Sequence, residues 1–89
     1  MNENERAMEL LKEHMDTMSM IENNAKKIGS ETNIELIKDI AKEQLKLIDY
    51  IVILSNELLT YSLGIDWDLI NETYDNLKKL RDVYSLLID

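Results

Sequence analysis

Residues Thr32 to Leu63, TNIELIKDIAKEQLKLIDYIVILSNELLTYSL, carry two adjacent apolar seams at helical spacing. Ile34, Ile37, Ala41, Leu45, Ile48, Val52, Leu59 and Leu63 make the first, with Ser55 filling one turn. Leu36, Ile40, Leu47, Ile51, Leu54, Leu58 and Tyr61 make the second. One seam serves one neighbour, so two seams ask for a neighbour on each side. From Leu45 onward the polar strip narrows to Lys46, Asp49, Asn56, Glu57 and Thr60, and Ile53 interrupts it. This is the pattern of a central helix, or of a helix at an interface between copies. Thr32-Asn33-Ile34-Glu35 fits a capping box at its start.

The rest of the chain is read outward from this rod. The 89 residues suit one domain, 1–89. There is no proline and no cysteine, and the two glycines, Gly29 and Gly64, fall where the helical period breaks. No strand-like alternation appears. The expectation is an all-α chain of three long antiparallel helices, up-down-up, over residues 3–28, 33–63 and 67–88. At 1.5 Å per residue these rods are about 39, 48 and 33 Å long and overhang one another. That overhang predicts homo-oligomerisation into a larger helical bundle, most simply a homodimer. Leu47, Ile51, Leu54, Leu58 and Tyr61 are its expected interface.

In the first helix Met8, Leu11, Met15, Met18, Ile21, Ala25 and Ile28 recur at 3/4 spacing and are read as its buried face. Four methionines, Met8, Met15, Met18 and Met20, lie in this helix. A methionine-rich face is either core or an adaptable binding surface, and the sequence reading takes it as core. Glu3, Glu5 and Glu9 load the first turns and Lys26 and Lys27 the last, which suits the helix dipole. Gly29 is expected to close the helix in a left-handed conformation, and Ser30-Glu31 then leaves room only for a tight hairpin. In the third helix Asp66 is the expected cap, with Ile65 and Ile70 as a staple across it. Ile70, Tyr74, Leu77, Leu80, Tyr84 and Leu87 are its expected buried face.

Charge limits the functions open to the chain. The formal net charge is −8, which disfavours direct contact with nucleic acid or anionic lipid. Between Lys46 and Lys78 there is no basic residue, while Asp49, Glu57, Asp66, Asp68, Glu72 and Asp75 are all acidic. This end of the molecule is the expected docking surface for a protein partner with a basic surface, and Trp67 is a candidate contact beside it. No run approaches the roughly 20 apolar residues of a membrane span, and no signal-peptide pattern is present. The expected location is cytoplasmic.

Little chemistry is visible. His14 is the only histidine and has no partner at metal-ligand spacing. There is no glycine-rich phosphate loop, and no catalytic set emerges. Glu35, Asp39 and Glu43 form one stripe on the central helix and Lys38, Lys42 and Lys46 another, as a solvated face does.

Leu47-Ile48-Asp49-Tyr50-Ile51-Val52-Ile53-Leu54, then Leu63-Gly64-Ile65-Asp66, then Asn76-Leu77-Lys78-Lys79-Leu80-Arg81 resemble in order and spacing the all-α MazG-type nucleoside triphosphate pyrophosphohydrolases. That resemblance implies a helix bearing a metal-binding aspartate, a following Leu-Gly-Ile-Asp turn, and Mg²⁺-dependent release of pyrophosphate. Asp49 stands at the aspartate's place, but Lys46 stands where the family's paired glutamate belongs. The other acids available are Asp39 and Glu43 on the same helix, so the implied metal set is Asp49, Glu43 and Asp39 with catalysis degraded.

The expectation is therefore a small acidic non-enzymatic binding protein that needs no cofactor and docks on or inhibits a macromolecular partner, as phage-type inhibitors and regulators do. The alternatives are a MazG-like Mg²⁺-dependent pyrophosphohydrolase, or a protein that sequesters a nucleotide without hydrolysing it. In the last case Lys38, Lys42 and Lys46, or Lys78, Lys79 and Arg81, would meet the phosphates.

Overall fold

A computed structural model describes residues 3–61 and 67–88, with side chains for 4–61, Asp68 and 71–88. Three helices make up the fold: α1 (Glu3–Ser30), α2 (Ile34–Leu58) and α3 (Trp67–Ile88). No strand occurs among the described residues. The order is up-down-up. α2 packs against both α1 and α3, while no Cα of α1 comes within 8 Å of one in α3 among the described residues. The two-seam pattern of α2 has this as its physical outcome: each neighbour packs its backbone closely on the central helix.

Two clusters fill the seams. Ile21 from α1, Ala41, Ile48 and Ile51 from α2, and Leu77 and Tyr84 from α3 form the larger one. Leu10 from α1 joins Leu54 and Leu58 of α2 in the other, with Leu11 and Tyr61 packed on it. Thus Ile51, Leu54 and Leu58, expected to face another copy, are covered by the chain itself, and Leu47 and Tyr61 are half-buried beside them. Ile51, Leu54 and Leu58 are therefore not open to another copy.

Several local features differ from those expected of the sequence. The cap of α2 is Asn33, whose side chain accepts from the Glu35 amide at 3.0 Å; Thr32 lies one residue before it. The Glu31 carboxylate accepts from the amides of Thr32 and Asn33, each at 3.0 Å, and so organises the whole hairpin link. Gly29 is helical, not left-handed. α1 runs on to Ser30, whose hydroxyl donates to the Lys26 and Lys27 carbonyls at 3.3 Å. α2 stops at Leu58 and not at Leu63. There the Thr60 hydroxyl donates to the Glu57 carbonyl at 2.6 Å, and tighter turns replace the helical ladder. The expected features at Gly64, Ile65 and Asp66 lie outside the described residues, as does the side chain of Ile70.

The largest departure is on α1. Its buried seam is Ala7, Leu10, His14, Thr17, Ile21, Asn24 and Ile28, with His14 and Ile28 half-buried. Apart from the shared Ile21 and Ile28, this is the expected seam moved back by one residue. Met8 and Met15 are 64% and 69% exposed, and Ala25 is exposed too. The seam turned inward is the less apolar one, and polar pairing explains how it packs. Gln44 of α2 is fully buried. Its amide nitrogen donates to the Ile21 carbonyl at 2.9 Å and to the Tyr84 hydroxyl at 3.2 Å. Its carbonyl oxygen accepts from the Asn24 amide at 3.1 Å. Thr17 satisfies itself by donating to the Glu13 carbonyl at 2.7 Å. No buried side-chain polar atom among the described residues is left without a partner. One glutamine therefore ties all three helices at a single level and sets their register.

Candidate partner-binding surface

The acidic residues singled out by sequence fall into two groups in space. Asp49 and Glu57 are engaged within the fold. Arg6 of α1 reaches Glu57 with Nη2 at 3.1 and 3.3 Å and Nε at 3.3 Å. That hydrogen bond and the carboxylate's charge raise the Arg6 pKa above its ordinary value. Arg81 of α3 places Nη2 3.3 Å from Asp49. The stretch lacking basic residues in sequence thus receives them from the other helices. Nearby, the Tyr50 hydroxyl donates to Glu13 at 2.8 Å, and this bond pushes the Tyr50 pKa up.

Asp68, Glu72 and Asp75 form the second group. All three are exposed on α3 and make no ion pair with a described residue. Asp68 lies in the first turn, where the helix dipole favours a negative charge. Asp66 and the Trp67 side chain lie outside the described residues.

Beside these acids lies an apolar surface that the sequence pattern did not announce. Leu80 and Leu87, expected in the core, are partly exposed; Val83 is 52% and Leu86 74% exposed. Leu77 and Tyr84 already fill the contact with α2. Arg81 marks the edge of α3 that curls toward α2. Leu80, Val83 and Leu87 follow one another at 3/4 spacing on the opposite edge. The result is a helix with an acidic N-terminal half and an apolar C-terminal stripe, both open to solvent. An isolated exposed leucine needs no explanation, but contiguous ones on one helix face do.

The remaining chemistry is sparse. Asp39, Glu43 and Asp49 do not come together: among the described residues no three histidine or acidic side chains converge as a metal site requires. His14 is half-buried, and burial lowers its pKa. Lys78 sits 4.8 Å above the ring of Tyr74. Among the described residues no helix is long and apolar enough to cross a membrane. Comparison with protein-family models, curated proteins and solved structures finds no match to this chain.

Proposed function

We propose that this chain acts by binding, as a small non-enzymatic regulator or inhibitor that docks through α3 on a protein partner with a basic surface. The observation that carries the reading is the exposed stripe Leu80, Val83, Leu86 and Leu87 next to Asp68, Glu72 and Asp75, which are exposed and make no ion pair with a described residue. Apolar contact supplies the affinity of such a surface, and charge supplies its steering and selectivity. Partner capture by tagged protein from host extract, followed by affinity measurement with the purified partner, tests it. A V83E/L86E variant is expected to lose at least tenfold in affinity, and affinity is expected to fall as salt rises. Equal capture by wild type and V83E/L86E would reject α3 as the docking surface.

A second reading has its own observation. Lys46 and Lys78 flank the Arg81–Asp49 pair on opposite sides along the antiparallel α2–α3 edge, since Lys46 precedes Asp49 by three residues and Lys78 precedes Arg81 by three. With Tyr74 under Lys78, this edge offers cations for phosphates and a ring for a base. Calorimetry with a nucleotide panel that includes cyclic dinucleotides separates the readings. Saturable heat that is lost in K46E/K78E would favour nucleotide sequestration, and pyrophosphate release in Mg²⁺ would favour hydrolysis. No heat and no turnover would leave macromolecular docking alone.

A further inference from the structure

We infer that the outer seam of α1 is the contact between two copies of this chain, paired antiparallel. The inference is independent of the docking surface on α3. It begins from the seam itself. Met8, Leu11, Met15, Met18, Glu22 and Ala25 follow one another at spacings of three and four, one residue offset from the buried seam. Leu11 and Met18 are half-buried at its inner border, and Met8 and Met15 stand out in solvent. Arg6 and Glu13 mark the other border of α1, where they meet Glu57 and Tyr50 of α2. The methionine seam therefore faces away from that polar edge; Leu11 and Met18 rest against the core, and Met8 and Met15 stand exposed among the described residues.

Sequence makes a second copy the fitting occupant. Charge runs along α1 from acidic first turns (Glu5, Glu9) to a basic last turn (Lys26, Lys27). Parallel pairing sets like charges side by side at both ends. Antiparallel pairing about a two-fold axis between Asp16 and Thr17 sets unlike ends together. In that register Met15 of each copy meets Met18 of the other, Met8 meets Ala25, and Leu11 lies against the stem of Glu22. Lys12 comes beside Glu22, the single charge within the seam. Lys26, on the flank of the seam, then lies over the turn that holds Glu5 of the other copy. A two-fold contact of this kind is self-complementary. Flexible thioethers suit a seam that must fit its own copy, and the crossing is that of neighbouring helices in a bundle.

Light scattering and cysteine cross-linking test the inference together. At tens of micromolar the expected mass is twice the 10.4 kDa chain. Because the chain has no cysteine, introduced thiols report alone. An oxidised mixture of M8C and A25C chains is expected to form the mixed disulfide dimer, and neither chain alone to form its own. M15E is expected to weaken association at least tenfold while helical circular dichroism stays unchanged, since Met15 touches little within its own chain. M20E, on the polar edge of α1, is expected to leave association intact. A monomer mass at 100 µM, a self-linked M8C dimer, or a dimer indifferent to M15E would each overturn the inference.

Discussion

α1 carries two seams side by side, and they are used in opposite ways. The inner one, through Leu10, Thr17, Ile21 and Asn24, holds polar residues and is buried. The outer one is more apolar, yet its Met8 and Met15 face out while Leu11 and Met18 are only half-buried against the core. Hydrophobicity alone would have chosen the reverse. The inner seam wins because Gln44 supplies a partner for Asn24 and ties in Tyr84, so its polar members cost little to bury. The exposed thioethers of Met8 and Met15 are what the proposed second copy would cover.

The sharpest way to break this comparison is to truncate one residue from each seam. Leu10→Ala removes a fully buried side chain and is expected to destabilise by about 2–5 kcal/mol. Met15→Ala, measured where the chain is monomeric, is expected to change stability by no more than about 0.5 kcal/mol. Denaturant melts of the two variants decide the matter, and comparable losses would put the wrong seam inside.

Replacing Gln44 by leucine tests why the polar seam is tolerated. The side chain keeps a similar size but strands the Asn24 amide and removes the link to Tyr84. A loss of about 1–3 kcal/mol is expected, the cost of a buried polar group left unpaired. In an Asn24→Ala background the same change is expected to cost less, because the two groups act on each other. Additive losses would mean that the bond between α1 and α2 contributes nothing.

These contrasts also show where the sequence was legible. The all-helical class and the span of α3 follow from periodicity and from the residues that break it. The central place of α2 follows from the width of its apolar surface, because Ala41, Ile48 and Ile51 meet both α1 and α3 while Leu54 and Leu58 meet α1 further along. The inner face of α1 did not follow. Its hydrogen bonds run to Gln44, about twenty residues away in sequence, and no local pattern announces that a glutamine on α2 will satisfy an asparagine on α1. The stripe on α3 was hidden for a related reason: Leu80 and Leu87 keep helical spacing with Leu77 and Tyr84, yet α2 is too narrow to cover all four. The surface acids were legible as a group but not in their pairing, since Arg6 and Arg81 lie far from Glu57 and Asp49 in sequence.

A smaller effect concerns the hairpin that brings the inner seam onto α2. Asn33→Ala removes the acceptor for the Glu35 amide and is expected to cost about 1 kcal/mol. Thr32→Ala, at the position the capping-box pattern favoured, is expected to cost less than half as much. A melt in which Thr32→Ala is the more damaging change would return the cap to Thr32.

The finest test uses the one group of the inner seam that titrates near neutrality. Burial lowers the pKa of His14 from its ordinary value of 6.5, so the fold favours the neutral ring. Above pH 6.5 the ring is neutral in both folded and unfolded chains and costs nothing. As pH falls below 6.5 the unfolded chain takes up the proton first, and folding stability declines until the folded-state pKa is also passed. His14→Gln removes this decline while leaving every carboxylate in place, so the difference between the two melting curves isolates the histidine. That difference is expected to move against the wild type between about pH 7 and pH 5. Parallel curves would mean that His14 feels no burial, and that the polar seam of α1 is less enclosed than its neighbours Leu10 and Thr17 indicate.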